Sequence, residues 1–113
     1  ALWGLRNLGQ WVAGERAEIL VRRAAITEAF ARVGGWRLLG CGAYFAYAEH
    51  PHPVPSPDLA RRLVREASVL LLPGTMFTPA GDAAGARQVR IAFANVDAAG
   101  LATLADRLAA FRP

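Results

Sequence analysis

The sequence predicts an α+β fold, with a small, mostly antiparallel sheet and helices packed on one of its faces. Three observations indicate this fold: a long helical segment at the N-terminus, short segments with strand-like alternation, and a closing apolar stripe at helical spacing. The 113 residues are 54% hydrophobic and 19% charged, a composition typical of one globular domain with a core of its own.

The N-terminal third is predicted to be helical. Ala1 to Leu8 is predicted to be the end of a helix, which stops near Gly9. A second runs from about Gln10 to Val33, with apolar residues near helical spacing and the pair Gly34 and Gly35 to end it. This helix is about twice the average length. It is therefore expected to join two bodies as well as to cover a core.

Two strands are predicted next, at Trp36 to Leu39 and at Ala43 to Ala48. The residues between them include two glycines, which favours an antiparallel hairpin. The segment His50 to Pro57 contains four prolines and is predicted to be a loop, because proline removes backbone donors and disfavours helix in the residue before it. Ser56 is expected to cap the following helix from its side chain.

That helix is predicted from about Asp58 to Ala67, followed by a buried strand at Val69 to Leu72, where the apolar character is continuous. The segment Pro73 to Ala86 is then a long loop. Loops of this length are uncommon in compact domains and are often functional.

The last strand places alternate side chains on opposite faces of the sheet. Val89, Ile91 and Phe93 share one face, and Arg90 lies on the other. A closing helix is predicted from about Asp97, with an apolar stripe formed by Leu101, Leu104, Leu108 and Phe111.

The charge pattern leaves two classes of function open. The net charge is +4, and a basic module that binds nucleic acid or a protein partner would carry such a charge. The arginines are scattered, however, and several have an acid four residues upstream, as in Glu18 with Arg22, Glu28 with Arg32, and Asp58 with Arg62. Such pairs favour solvated helix faces over a nucleic-acid surface.

The sequence does not support an internal disulfide, a membrane-spanning segment or a lysine Schiff base. Cys41 is the single cysteine, so it predicts no internal disulfide and is consistent with a reducing, cytoplasmic location. The apolar runs are shorter than the roughly 20 residues that span a bilayer, so no membrane partner is expected. All thirteen basic residues are arginines. Without a lysine, this chain cannot form a Schiff base through a lysine side chain.

Arg90 is the candidate site residue that the pattern itself supplies. A guanidinium held on the outward face of a strand suits a carboxylate, although the pattern alone favours an ordinary exposed arginine. His50 and His52 have a spacing that a metal could use, but without further ligands nearby they are predicted to be loop histidines. Cys41 is predicted to be structurally passive, because no base partner is evident.

Three stretches resemble the C-terminal small domain of class I and II, fold type I, pyridoxal-phosphate-dependent aminotransferases. GAYFAYAE (Gly42 to Glu49) is similar to the family's Gly-aromatic strand. ARRLVREASVLLLPGTMF (Ala60 to Phe77) is similar to its helix, strand and Pro-Gly turn. QVRIAFANVDAAGLATLADRLAAF (Gln88 to Phe111) resembles its arginine strand and closing helix.

The resemblance implies a function that the pattern alone does not supply. Residues 1–113 would be the small domain of a larger enzyme, a fragment that lacks the large cofactor-binding domain. Arg90 would bind the substrate α-carboxylate, and Phe77, in a loop along the active-site entrance, would form a wall of the pocket. The intact enzyme would use pyridoxal phosphate to exchange an amino group between an amino acid and a 2-oxo acid, as a homodimer. The isolated fragment would be inactive and would not bind the cofactor tightly. A carbon–sulfur lyase or a regulator with an aminotransferase-like domain would share the same segment.

Overall fold

A computed structural model describes all residues from 1 to 113. The helices are α1 (Leu2–Asn7), α2 (Gly9–Arg32), α3 (Ser56–Ala67) and α4 (Ala98–Ala110), and the strands are β1 (Arg37–Gly42), β2 (Phe45–Glu49), β3 (Leu72–Pro73) and β4 (Gln88–Ala92). The strand order is β1-β2-β4-β3, and every neighbouring pair is antiparallel. The predicted α+β class is confirmed. None of the helices is both long enough and apolar enough to cross a membrane.

The core lies between one face of the sheet and the helices. Ala46 and Ala48 of β2 and Val89 of β4 are all 0% exposed, and Ile91 of β4 is 3% exposed. These side chains belong to the same apolar cluster as buried residues of α2, α3 and α4. The strict alternation along β2 and β4 therefore separates a buried face from an outward face.

The long helix α2 is packed along only part of its length. Its buried residues are Ile26, Ala29 and Phe30, all in the C-terminal half, and α1 has none. Large apolar side chains are exposed along the remainder of the two helices and at the residue between them: Leu2, Trp3, Leu5, Leu8, Trp11, Val12, Leu20 and Val21.

The predictions for the strand at Val69 to Leu72 and for the cap at Ser56 differ from the structure. The predicted buried strand at Val69 to Leu72 is reduced to Leu72–Pro73, because only these two residues pair with β4. The segment before it is not continuously buried, since Leu70 is 81% exposed between the buried Val69 and Leu71. Ser56 is the first residue of α3 and does not cap it. Its side chain is fully buried, and the hydroxyl donates to the carbonyl oxygen of Gly85 at 2.8 Å.

The helix-face ion pairs are confirmed in part. Arg22 pairs with Glu18 at 2.9 Å as predicted. The predicted pair of Asp58 with Arg62 is replaced by two others, because Asp58 contacts Arg61 at 2.7 Å and Arg62 contacts Glu66 at 2.9 Å. No ion pair joins Glu28 to Arg32.

His50 follows β2 at the start of the predicted loop, and it is buried there. It is 2% exposed, and its ring lies 6.2 Å from Trp36 and 6.2 Å from His52, centroid to centroid. Nε2 lies 3.1 Å from the carbonyl oxygen of Ala86. Because a carbonyl oxygen only accepts, Nε2 carries the proton in the neutral ring. Nδ1 is then the deprotonated nitrogen, and it is buried without a partner.

Protonation of the two histidines is therefore disfavoured in the folded state. Burial lowers the pKa of His50, partly opposed by the bond to Ala86 and by the charge of Glu49, and the charge of Arg87 lowers it further. Burial also lowers the pKa of His52, helped by the charges of His50, Arg112 and Arg62. The ordinary histidine pKa of 6.5 describes the unfolded chain.

Acid should consequently destabilise this domain. Well above pH 6.5 the two histidines are neutral in both states, and as the pH falls through 6.5 the unfolded chain binds protons first. Stability should therefore fall as the pH drops from 6.5 to the lowered native pKa values. Thermal unfolding of the full-length protein between about pH 7.5 and about pH 5 measures this effect. The double variant His50→Gln, His52→Gln should show a weaker pH dependence, and identical pH profiles for the two proteins would contradict the assignment.

Candidate functional site

The outward face of the sheet carries the candidate site. Arg90 is at the centre of β4, where it pairs with Tyr47 of β2 on one side and with Leu72 of β3 on the other. The side chain points away from the apolar core because its neighbours Val89 and Ile91 are buried. The prediction that Arg90 lies on the face opposite these two residues is confirmed.

Two phenyl rings contact the guanidinium group of Arg90. Its Cζ atom lies over the ring of Phe45, 4.3 Å from the centroid, and over the ring of Phe77, 3.9 Å from the centroid. A guanidinium over an aromatic face is attracted by the ring quadrupole. The structure thus brings the two residues named from the sequence, Arg90 and Phe77, into direct contact.

The hydrogen-bonding capacity of Arg90 is unused within the chain. Three arginines are partly buried: Arg22, Arg62 and Arg90. Arg22 pairs with Glu18, and Arg62 pairs with Glu66. The side chain of Arg90 makes neither an ion pair nor a hydrogen bond in the chain, although a guanidinium has five N–H donors. A partly buried cation with free donors is suited to bind an anion from outside the chain.

Tyr47 lies beside Arg90 on the same face. Its hydroxyl donates a long hydrogen bond, 3.4 Å, to the carbonyl oxygen of Gly74. Burial raises the pKa of Tyr47, the positive charge of Arg90 opposes this, and the charge of Asp82 raises it further. The side chain of Tyr47 therefore stays neutral, and its hydroxyl links the sheet to the start of the loop Pro73 to Ala86.

The loop from Pro73 to Ala86, which carries Phe77, is held by hydrogen bonds near both of its ends. It contains two short 3₁₀ turns, Gly74–Met76 and Gly85–Arg87, and is more ordered than the predicted irregular segment. The backbone N–H of Phe77 donates to the carbonyl oxygen of Gly74 at 2.8 Å. At the other end, the buried hydroxyl of Ser56 holds Gly85.

Gly74 allows the two turns to pack against each other. A Cβ atom at this position would lie 2.7 Å from the carbonyl oxygens of Gln88 and of Gly85. These are backbone atoms, which cannot rotate away as the end of a side chain can. The backbone of the loop therefore approaches β4 at a distance that only glycine permits.

The other residues considered from the sequence lie outside this site. Burial raises the pKa of the Cys41 thiol, opposed by the charge of Arg23 and a bond from Thr27, so the thiolate is disfavoured. His50 and His52 belong to the aromatic cluster around Trp36. No group of three or more potential metal ligands is present in the chain.

Phe45 and Tyr47 are site residues that sequence reasoning did not single out. The only signal available was that they share a face of the second predicted strand. Which residue of β4 they face depends on the register, in which Tyr47 pairs with Arg90 and Phe45 with Ala92.

Comparison with known proteins assigns the chain to a family. The family model for aminotransferase class I and II matches residues 5–108. The chain belongs to the class I and II aminotransferase family. Among curated proteins, none gives a significant match.

Solved aminotransferases share this fold. N-Succinyldiaminopimelate aminotransferase from Mycobacterium tuberculosis is 23% identical with a TM-score of 0.78, over 96% of this chain and 29% of its own. YbdL from Escherichia coli, described with a methionine aminotransferase function, is 20% identical with a TM-score of 0.77, over 96% and 28%. LysN, the α-aminoadipate aminotransferase of Thermus thermophilus, is 27% identical with a TM-score of 0.70, over 83% and 24%. This class I and II aminotransferase segment thus spans less than a third of the length of each.

The tight packing at Gly74 can be tested by substitution. In the full-length protein, Gly74→Ala should lower the free energy of unfolding by about 1–3 kcal/mol, because the added methyl group overlaps two backbone oxygens. Gly40→Ala is the matched control, since a Cβ there meets nothing within 4 Å, and it should change the free energy by less than about 0.5 kcal/mol. Equal thermal unfolding midpoints for the two variants would contradict the packing argument.

Proposed function

We propose that the intact protein is a pyridoxal-phosphate-dependent aminotransferase that moves an amino group between an amino acid and a 2-oxo acid. Residues 1–113 are its C-terminal small domain. The family match over residues 5–108 supports this proposal, as does the likeness to LysN, whose solved structure contains N-(5'-phosphopyridoxyl)-L-leucine.

Arg90 is the residue that binds the substrate α-carboxylate in this proposal. The environment of the guanidinium supports this role. The Arg90 side chain is partly buried and lies over two phenyl rings, and no residue of the chain accepts a hydrogen bond from it. A planar guanidinium matches a carboxylate with two parallel N–H···O bonds. Such charge-assisted bonds contribute about 1.5–3 kcal/mol each. Phe77, on the loop beside Arg90, forms a wall of the same pocket, and the loop Pro73 to Ala86 lies along the entrance of the active site. The domain as a whole supplies the movable lid.

The cofactor must be attached by another part of the protein. Bound pyridoxal phosphate supplies the electron sink for chemistry at the substrate α-carbon. None of the thirteen basic residues in this chain is a lysine, so no residue here fits the covalent attachment. Within this chain the proposed contribution is to bind and orient the carboxylate. The isolated domain should accordingly be inactive and should not bind the cofactor tightly.

The partners follow from the same proposal. The missing large domain completes the active site, and the intact enzyme is a homodimer. The exposed apolar side chains along α1 and α2, including Trp3 at 69% and Trp11 at 61%, support contact with protein outside this segment. The single cysteine supports a cytoplasmic setting. A basic module for nucleic acid is less favoured, because the five ion pairs occupy arginines with acids of the chain.

The reaction is tested first with the full-length protein loaded with pyridoxal phosphate. Each of the common L-amino acids is paired with 2-oxoglutarate or with pyruvate, and the new amino acid is measured. Transfer of the amino group supports the proposal. Release of a thiol and pyruvate from a sulfur amino acid without transfer would identify a carbon–sulfur lyase. Sequence-specific DNA binding without turnover would identify a regulator.

The role of Arg90 is tested with the best amino donor from that panel. Arg90→Gln should lower kcat/KM by about 10- to 100-fold or more, because a bidentate, charge-assisted contact is lost. Arg90→Lys should recover only part of the loss, since an ammonium lacks the planar fork. Arg65→Gln, an exposed arginine on α3, serves as the control and should leave kcat/KM within about 2-fold. Unchanged turnover in Arg90→Gln would show that the carboxylate is bound elsewhere.

A further inference from the structure

The second aromatic contact of Arg90 comes from a residue with no assigned role. Phe45 is the first residue of β2, and its ring lies 4.3 Å from the Arg90 Cζ. Its backbone pairs with Ala92, while Arg90 pairs with Tyr47. Phe45 is thus a diagonal neighbour of Arg90 on the same face of the sheet, within the reach of an aromatic ring and a long side chain.

The two rings reach Arg90 from different parts of the fold. Phe45 is fixed by the sheet, whose β2–β4 ladder is regular from Phe45 to Glu49. Phe77 follows the 3₁₀ turn Gly74–Met76 and comes from the loop. A flexible side chain with several rotatable bonds is therefore restrained by one contact from a rigid element and by another from the loop.

We propose that Phe45, together with Phe77, positions the Arg90 guanidinium for the carboxylate. This inference rests on the proposed role of Arg90 and adds a positioning residue to it. A ring face attracts the cation without accepting a conventional hydrogen bond from it, so the N–H donors remain free. An acidic residue in the place of Phe45 would hold the arginine as well, but it would occupy those donors and cancel the charge that attracts the substrate.

The partly exposed ring of Phe45 agrees with this role. The residue is 37% exposed and Phe77 is 41% exposed, so neither ring is part of the apolar core. Tyr44, the neighbouring aromatic, is 54% exposed and makes no contact with the guanidinium. The difference between these adjacent aromatics provides a matched control.

The experiment compares three variants of the full-length, cofactor-loaded protein, assayed with the best amino donor from the panel described above. Phe45→Leu keeps an apolar side chain but removes the ring face, and it should raise KM for the amino acid by about 3- to 30-fold with kcat within about 3-fold. Phe45→Tyr keeps the ring and should restore KM to within about 2-fold of the parent value. Tyr44→Leu should leave both constants near the parent values.

A double-mutant cycle separates positioning from a general structural effect. If Phe45 acts through Arg90, adding Phe45→Leu to Arg90→Gln should cause no further loss of kcat/KM, because the group being positioned is already absent. Equal losses on the two backgrounds would overturn the inference and leave the role of Arg90 intact. Failure of Phe45→Tyr to restore KM would also overturn it. An Arg90→Gln protein with unchanged turnover would overturn both the proposed role of Arg90 and this inference.

Discussion

The antiparallel pairing of β2 with β4 is the interaction on which the rest of the structure depends. In this pair Ala46 is opposite Ile91 and Ala48 is opposite Val89, and their buried side chains form the floor of the core. The same register sets Tyr47 opposite Arg90 on the other face. Since side chains alternate strictly along a strand, a slip of one residue would bring the arginine into the core and expose the apolar set. Burial of Val89 and Ile91 on the inner face of the sheet therefore determines that the Arg90 side chain points to the outer face.

The loop before β4 extends this constraint from the sheet to the second aromatic contact. Gly74 permits the first 3₁₀ turn to approach β4. The carbonyl oxygen of Gly74 accepts hydrogen bonds from the Tyr47 hydroxyl and from the Phe77 N–H. Phe77 reaches Arg90 because its backbone is held close to this junction. The rest of the loop has contacts of its own, because the Thr78 hydroxyl donates to the Gly74 carbonyl oxygen at 3.4 Å and the Ala84 N–H donates to the Asp82 carboxylate at 2.8 Å.

Much of the fold could be predicted because its signals are local. Helical spacing, glycine pairs and strand alternation indicated the order of the elements, and alternation alone placed Arg90 outside the core. The missed features depend on long-range contacts. The local sequence predicts that Ser56 caps a helix, but in the folded chain its hydroxyl donates to the carbonyl oxygen of Gly85, 29 residues later. The burial of His50 requires Trp36 and Ala86 to meet around it. The contact of Phe45 with Arg90 requires the β2–β4 register, for which the sequence contains no direct signal.

The environment of Arg90 also connects binding to electrostatics. Partial burial disfavours an unpaired charge, because the guanidinium loses part of its hydration. The faces of Phe45 and Phe77 offset some of this cost through their quadrupoles, but they leave the net charge in place. If a substrate carboxylate binds here, it neutralises the charge and satisfies donors that the chain leaves free. The gain on binding is then larger than for a fully hydrated surface arginine, since less water remains to be displaced. The two aromatic faces therefore restrain the Arg90 guanidinium and leave its N–H donors free.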